Sequence, residues 1–262
     1  MSEPLQDLRL TLVQSALVWD DAPANRDHFG ALLEPLAGQT DLILLPETFS
    51  TGFSMDPKRL GEAPDGPTVQ WMQSEASRTG AVVCGSLIIN EGEHSYNRFF
   101  AVGPDDEIQS YNKRHLFTMG GEHKEFTAGT ECVLWHCKGW KIRPQVCYDL
   151  RFPVWSRNTQ DYDLLLYVAN WPARRAHHWK ALLRARAIEN LSWVAAVNRI
   201  GEDGNGVAHC GDSSLIDPVG EVLFENSGDA CVQTMTLSGS RIAECRKKFA
   251  FLNDRDEFSI EL

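Results

Sequence analysis

Strand-like and helix-like patterns alternate through the first half of this chain, and strand-like runs follow one another directly in the second half. Apolar and polar residues alternate in residues 8–12, which is the pattern of a half-buried strand. Residues 25–36 instead carry apolar side chains at helical spacing, which predicts an amphipathic helix. This order of patterns indicates an α/β sandwich, in which strands form the sheets and helices cover them.

The remaining elements follow from the same two patterns. Helices are predicted at residues 67–78, 176–190 and 241–248, and the polar, glycine-rich residues 116–129 are predicted to be a loop. Strands are predicted at residues 42–45, 81–89, 97–102, 107–111, 140–146, 163–169, 192–198, 206–216, 221–224 and 231–237. Because no repeat, linker or low-complexity segment interrupts the pattern, we expect residues 1–262 to form a single domain.

Composition and charge argue against several classes of protein. The 262 residues are 43% hydrophobic and carry a formal net charge of −11, which is typical of a globular chain and disfavours nucleic-acid binding. Residues 1–7 lack the basic and apolar segments of an export signal, and no apolar run approaches the roughly 18 residues that cross a bilayer. We therefore expect a cytoplasmic protein that binds neither nucleic acid nor membrane.

Seven cysteines, an odd number in a chain without a recognisable export signal, indicate reduced thiols rather than a disulfide framework. The candidates for a zinc site are Cys132, His136 and Cys137, with His123 nearby. The chain has neither a Cys-x-x-Cys pair nor a His-Glu-x-x-His helix, which are the usual zinc patterns. We therefore expect no metal and no cofactor.

Three predicted strands are followed by residues whose side chains are reactive or charged. Glu47, Lys113 and Cys147 each lie one or two residues beyond a predicted strand. Ligands of layered α/β proteins bind beyond the carboxyl ends of strands, so these positions suggest a site. Taken singly, however, a free cysteine is more often a small buried hydrophobe, and charged residues mostly stay in solvent. Position alone therefore leaves a structural role open for each of the three.

Together the three stretches resemble the nitrilase (carbon–nitrogen hydrolase) superfamily, whose catalytic set is Glu, Lys and Cys in that chain order. The likeness continues through residues 121–129, 170–173, 184–190, 198–201 and 211–221. The resemblance implies an α-β-β-α sandwich whose subunits pair as a homodimer. It also implies that Glu47, Lys113 and Cys147 are catalytic. Glu122 matches the family's second glutamate, although Glu125 lies close enough for a different alignment.

In the chemistry that the resemblance implies, the Cys147 sulfur attacks an amide carbonyl while Glu47 takes the thiol proton and passes it to the leaving ammonia. A water activated by Glu47 then releases the acid from the thioester. Lys113 and the backbone N–H of Tyr148 would hold the oxyanion, and one such donor is typically worth about 3–4 kcal/mol. Lys113 favours the charged forms of Cys147 and Glu47 whereas burial disfavours them, and the sequence leaves this balance open.

Within the superfamily, residues 147–153 (Cys-Tyr-Asp-Leu-Arg-Phe-Pro) are similar to the omega-amidases, which hydrolyse the terminal amide of 2-oxoglutaramate or 2-oxosuccinamate. Such substrates are anionic, and a protein with a net charge of −11 needs a local cation to bind them. We expect Arg174 and Arg175 to clamp the carboxylate, and Arg151 and Arg186 to form structural ion pairs. The same residues are also consistent with a structural role, in which the arginines are solvated and the aromatic side chains belong to the core. The aromatic candidates for the pocket walls are Phe53, Phe117 and Trp171.

Two alternative functions remain open from the sequence. An N-carbamoyl amino acid amidohydrolase of the same superfamily would share the Glu–Lys–Cys chemistry but cleave a ureido group. A catalytically silent member of the family would act as a binding protein. Ammonia release from 2-oxoglutaramate and from an N-carbamoyl amino acid separates the two enzymes, and labelling of Cys147 with a thiol reagent tests the silent alternative.

Overall fold

Thirteen strands in two sheets form the frame of the protein, which is described for residues 5–261 by a computed structural model. The strands are β1 (Leu8–Gln14), β2 (Leu42–Leu44), β3 (Val82–Glu91), β4 (His94–Val102), β5 (Ile108–Asn112), β6 (Trp135–Cys137), β7 (Trp140–Val146), β8 (Leu164–Ala169), β9 (Trp193–Asn198), β10 (Ile200–Glu202), β11 (Ala208–Ile216), β12 (Val222–Ser227) and β13 (Cys231–Leu237). The α-helices are α1 (Ala22–Leu33), α2 (Pro57–Leu60), α3 (Pro67–Thr79), α4 (Glu122–Glu125), α5 (Pro153–Ser156), α6 (Ala176–Asn190) and α7 (Gly239–Lys248). Within the described part of the chain, no helix is both long enough and apolar enough to cross a membrane.

Each sheet combines parallel central strands with antiparallel outer ones. In the first sheet, with the order β13-β1-β2-β3-β4-β5, strand β2 pairs in parallel with β1 and with β3. In the second sheet, with the order β10-β11-β9-β8-β7-β6 and β12 beside β11, strand β8 pairs in parallel with β7 and with β9. The carboxyl ends of the parallel strands therefore meet at one edge of each sheet, where a ligand site is expected.

Successive side chains on a central strand point to opposite faces of its sheet and pack into two different cores. In β8, Leu164 packs into the core between the two sheets, whereas Leu165 packs into a second core that includes Trp179 of α6. The side chains of strand β2 alternate in the same way: Leu44 packs between the sheets, and Ile43 packs into the core beneath α1 and α3. Each such buried leucine or isoleucine contributes about 1.5–3 kcal/mol. Helices thus cover the outer face of each sheet, and the expected α-β-β-α sandwich is confirmed.

Where predicted and observed elements differ, the cause is local. Helix α1 begins at Ala22 rather than at residue 25, because the Asp21 side chain accepts a hydrogen bond of 3.0 Å from the Ala24 backbone N–H and caps an earlier turn. Residues 116–129, predicted as a loop, contain a 3₁₀ turn at Thr118–Gly120 and the short helix α4. Strands β6 and β10 are not predicted, because three residues carry too little periodicity to be recognised.

Candidate active site

The carboxyl ends of four strands bring polar residues from both sheets together. Lys113 directly follows β5, Cys147 directly follows β7, and Asn170 directly follows β8, while Glu47 lies three residues beyond β2. Strands β2 and β5 belong to the first sheet, and β7 and β8 belong to the second. The structure therefore places Glu47, Lys113 and Cys147, which the sequence singles out, in one site between the facing sheets.

Lys113 is almost fully buried and is held by two carboxylates. Its Nζ donates to Glu47 Oε1 at 2.9 Å and to the two carboxylate oxygens of Glu122 at 3.0 and 2.9 Å. Burial lowers the pKa of Lys113, but the negative charges of Glu122 and Glu47 outweigh burial and leave the pKa raised. The ammonium therefore stays charged at neutral pH, and its hydrogen bonds fix the position of its charge.

Glu122, and not Glu125, is the second glutamate that contacts Lys113. Glu122 is buried at the start of α4, whereas Glu125 is exposed at the end of the same helix. Glu122 Oε2 also accepts a hydrogen bond of 2.6 Å from the Phe117 backbone N–H. Burial, opposed by the charge of Lys113 and reinforced by that of Glu47, raises the pKa of Glu122. Residues 117–122 are thus linked to the buried ammonium through Glu122.

Two asparagines that sequence reasoning does not nominate as site residues fix the Glu47 carboxylate. Asn97 Nδ2 donates to Glu47 Oε1 at 2.8 Å and to Glu122 Oε1 at 3.2 Å. The Asn170 backbone N–H donates to Glu47 Oε2 at 2.7 Å, and the Asn170 side chain donates to the Glu47 backbone carbonyl at 2.7 Å. A polar amide at the first position of a predicted strand is the signal that could identify Asn97, because a buried amide needs partners.

Cys147 occupies a strained turn between β7 and the 3₁₀ segment Cys147–Arg151. Its φ of 45° is a left-handed conformation that is costly for a residue other than glycine. The buried Asp149 holds this turn, since its carboxylate accepts hydrogen bonds from the Val146 backbone N–H at 3.0 Å, the Tyr111 hydroxyl at 2.8 Å and the His115 backbone N–H at 2.9 Å. These bonds offset the strain and fix the backbone from which the thiol reaches the cavity.

The Cys147 thiol is half-buried and lies close to the Glu47 carboxylate. Burial and the negative charge of Glu47, opposed by the positive charge of Lys113, raise the pKa of the thiol well above its usual value. The balance that the sequence leaves open therefore favours the protonated thiol at neutral pH. A protonated thiol needs a neighbouring base before it can attack, and the Glu47 carboxylate is adjacent to it.

A cavity of about 210 Å³ opens beside Cys147. Arg175, on its wall, lies over the ring of Phe117 at 5.2 Å from the ring centroid. Lys113 Nζ lies 5.0 Å from the centroid of the Phe53 ring, so the aromatic wall reaches the buried ammonium. Tyr148 lines the cavity. So do all five side chains that the sequence nominates for substrate binding: Phe53, Phe117, Trp171, Arg174 and Arg175.

Arg151 also lines the cavity, and the expectation that it forms a structural ion pair is wrong. Its guanidinium lies over the Trp171 ring at 4.7 Å from the centroid and donates to His178 Nδ1 at 3.2 Å. The reason is its position at the end of the turn that begins at Cys147, where aromatic rings rather than carboxylates surround it. Arg186 does form the expected pair, with Glu189 at 3.0 Å.

Three arginines therefore line the cavity: Arg151, Arg174 and Arg175. Burial, together with the charges of Arg174 and Arg151, lowers the pKa of Arg175. Asp203 is the one acidic residue among the described residues that line the cavity, and its Oδ1 accepts hydrogen bonds from the backbone N–H groups of Asn205 and Val207 at 2.9 Å each. A cluster of cations with so little opposing charge is suited to an anionic ligand.

The zinc candidates do not assemble into a metal site. Across residues 5–261, no three His, Cys, Asp or Glu side chains are grouped so as to hold a metal ion. Cys132 is exposed, and its sulfur accepts a hydrogen bond of 3.0 Å from Arg143.

Comparison with known proteins identifies one family along almost the whole chain. A family model described as carbon-nitrogen hydrolase matches residues 9–247. The omega-amidase YafV of Yersinia enterocolitica is 48% identical over 97% of this chain and 99% of its own length. A 2-oxoglutaramate amidase of Bacillus subtilis is 33% identical over 85% of this chain and 87% of its own length. The crystal structure of a CN-hydrolase superfamily protein from Xanthomonas campestris, which carries an arsenic adduct in its active site, has a TM-score of 0.96 and 49% identity, and the match covers 98% of this chain and 100% of that one.

Proposed function

The chain belongs to the carbon–nitrogen hydrolase family, and on this premise we propose that residues 1–262 form one domain that hydrolyses the terminal amide of a 2-oxo dicarboxylic acid monoamide. It is a hydrolase that acts on amides. The proposed substrates are 2-oxoglutaramate and 2-oxosuccinamate, and the first is the compound named for the relative from Bacillus subtilis. The observation that carries the proposal is Cys147 on the wall of a cavity lined by three arginines, close to the buried Lys113–Glu47 hydrogen bond of 2.9 Å.

In the first half of the proposed reaction, the Cys147 sulfur attacks the amide carbon while the thiol proton moves to the Glu47 carboxylate. The electron pair of the carbonyl moves onto its oxygen, and a tetrahedral intermediate forms. Glu47 then protonates the amide nitrogen, the C–N bond breaks, and ammonia leaves a thioester on Cys147. The raised pKa of the thiol supports this role for Glu47, because a protonated sulfur needs a base within reach.

In the second half, a water attacks the thioester while Glu47 accepts its proton, and the carboxylic acid leaves as the thiol is restored. The oxyanion that forms in each half is stabilised by the charge of Lys113 and by the backbone N–H of Tyr148. One such donor typically contributes about 3–4 kcal/mol to the transition state. Glu122 acts through Lys113, since its two carboxylate oxygens hold the ammonium at 3.0 and 2.9 Å.

The cavity supports recognition of a small anion. Arg174 and Arg175 are proposed to bind the carboxylate, and Phe53, Phe117 and Trp171 are proposed to wall the carbon chain. An N-carbamoyl amino acid also carries a carboxylate, so the arginines alone do not separate the two enzymatic alternatives. The high identity to omega-amidases favours the terminal amide, and the assembled thiol, carboxylate and ammonium argue against a catalytically silent protein.

A substrate panel with ammonia as the readout tests the proposed function. We expect kcat/KM for 2-oxoglutaramate and 2-oxosuccinamate to exceed that for an N-carbamoyl amino acid by at least about 100-fold, because the ureido carbon carries a second nitrogen that makes it a weaker electrophile than the amide carbon. The reverse order would assign the protein to the N-carbamoyl amidohydrolases. Absence of ammonia from every compound, together with a Cys147 that iodoacetamide does not label, would leave a binding protein.

Replacing Arg175 with alanine is expected to lower kcat/KM for 2-oxosuccinamate by about 10- to 100-fold, mainly through KM. A hydrogen bond to a charged group is worth about 1.5–3 kcal/mol, and Arg175 is half-buried, so solvent does not screen the contact fully. The matched control is Arg184→Ala, which removes an exposed arginine of α6 that does not line the cavity. An unchanged KM in Arg175→Ala would remove Arg175 from carboxylate binding.

Two further proposals concern the protein in solution. A homodimer is supported by a surface groove that includes the apolar side chains of Val154 and Phe258, which are 56% and 44% exposed. Light scattering of the purified protein tests this, and a monomer at micromolar concentration contradicts it. A cytoplasmic location is supported by the seven cysteines, all of which are free thiols.

A further inference from the structure

The β10–β11 hairpin contributes a polar side chain to the cavity that the proposed mechanism does not use. His209 lies on β11, where it pairs with Gly201 of β10, and it lines the cavity although only 7% of it is exposed. Its Nδ1 is inaccessible and has no hydrogen-bond partner among the described residues, so a ligand in the cavity can meet only the other ring nitrogen, Nε2. A polar side chain buried in a cavity wall without a protein partner is explained if a ligand atom hydrogen-bonds to that nitrogen.

The surroundings of His209 determine which kind of ligand atom fits. Burial, with the charge of the neighbouring Arg199, lowers the pKa of His209, so the imidazole is neutral and offers one N–H donor. Arg199 is fully buried, and its guanidinium donates to the backbone carbonyls of Ile200 at 3.1 Å and Glu202 at 3.0 Å. Neutral carbonyls do not cancel its positive charge. An electron-rich acceptor is therefore favoured beside His209, and a cation is disfavoured.

The proposed substrates carry such an acceptor. In the proposed binding mode their amide carbon would lie at Cys147 and their carboxylate at the arginines, and the oxygen on carbon 2 is directly beside that carboxylate. We propose that the His209 imidazole N–H binds this 2-oxo oxygen and thereby selects 2-oxo acid amides, an inference that rests on the proposed function. Amides that carry a methylene at carbon 2 lose this hydrogen bond, and 2-amino acid amides such as glutamine place an ammonium there.

Asp203, which also faces this part of the cavity, does not reverse the preference. Its Oδ1 is committed to the backbone N–H groups of Asn205 and Val207 in the hairpin turn, at 2.9 Å each. Arg151, Arg174 and Arg175 add positive charge to the same cavity. An ammonium at carbon 2 would therefore meet more positive than negative charge, and exclusion of free amino acid amides follows from the composition of the wall.

The test compares two amides that differ only at carbon 2: 2-oxoglutaramate and glutaramate, in which a methylene replaces the oxo group. His209→Phe keeps a flat ring but removes the donor, and His209→Gln keeps an N–H donor. We expect His209→Phe to lower kcat/KM for 2-oxoglutaramate by about 10- to 50-fold and that for glutaramate by no more than about 2-fold. His209→Gln is expected to retain 2-oxoglutaramate activity within about 5-fold of the wild type.

Other results would overturn either the role of His209 or the proposed function. Equal losses on both amides, or no loss on either, overturn the role of His209 while leaving the proposed function intact. A wild-type protein that releases ammonia from neither amide overturns the proposed function, and the inference with it. If His209→Phe does not fold, inhibition of the wild type decides, because 2-oxoglutarate is expected to inhibit at least about 10-fold more strongly than glutarate. Equal inhibition by the two acids would overturn the inference.

Discussion

Replacing Cys147 with alanine is expected to lower kcat/KM for 2-oxoglutaramate by at least about 10⁴-fold. The alanine methyl group cannot form the thioester, so only the charge of Lys113 and the shape of the cavity remain to assist direct attack by water. The fold is expected to stay intact, because alanine and cysteine bear the same cost at a φ of 45° and the hydrogen bonds of Asp149 do not involve the sulfur. Thermal unfolding measured beside steady-state kinetics separates the two effects.

Cys137→Ala is the matched control for this experiment. Cys137 is also a half-buried free thiol, but it lines a different cavity, beside Asp41 and Lys138. It is expected to keep wild-type kinetics. Mass spectrometry of acid-quenched protein should find an acyl adduct on the wild type and on Cys137→Ala, and none on Cys147→Ala. Turnover of Cys147→Ala within about tenfold of the wild type would remove Cys147 from the role of nucleophile.

The part of this fold that follows from sequence is the part carried by long periodic runs. Strand β7 and helix α6 have the boundaries that their patterns predict, because seven and fifteen residues carry enough periodicity to fix both ends. The position of Cys147 directly beyond a strand follows from the first of these. Short edge strands such as β6 depend on pairing with a neighbour, so no local signal reports them.

The contacts within the site depend on sheet order, which local patterns do not contain. Glu47 and Lys113 follow β2 and β5, which are separated by two other strands in the first sheet, and yet their side chains meet at 2.9 Å. Only the folded chain distinguishes Glu122 from Glu125, since both lie on one short helix and only one turns inward. The predicted ion pair of Arg151 also fails because the folded chain decides where its side chain points: its direction is set by the turn that holds Cys147.

Lys113→Met should have the second largest effect, and it should lower both activity and stability. Activity is expected to fall by about 10³-fold in kcat, because the oxyanion loses a fixed charge. The free energy of unfolding is expected to fall by about 3–5 kcal/mol, because Glu47 and Glu122 are fully buried and lose the cation between them. Without that cation the pKa of Glu122, which is already raised, rises further, so the loss of stability should grow as pH increases from about 5 towards neutrality.

The double variant Lys113→Met/Glu122→Gln separates the two effects. Removing one of the two buried negative charges relieves their repulsion, so most of the lost stability should return in chemical denaturation, whereas kcat should stay at the level of Lys113→Met. Glu122→Gln alone is the control, since it keeps the ammonium and one carboxylate partner at 2.9 Å. If stability and kcat recover together, the ammonium acts only by holding the site in shape. A variant Lys113→Met with unchanged kcat and a tenfold higher KM would likewise contradict a charge that acts on the oxyanion, because such a charge lowers the barrier rather than the affinity.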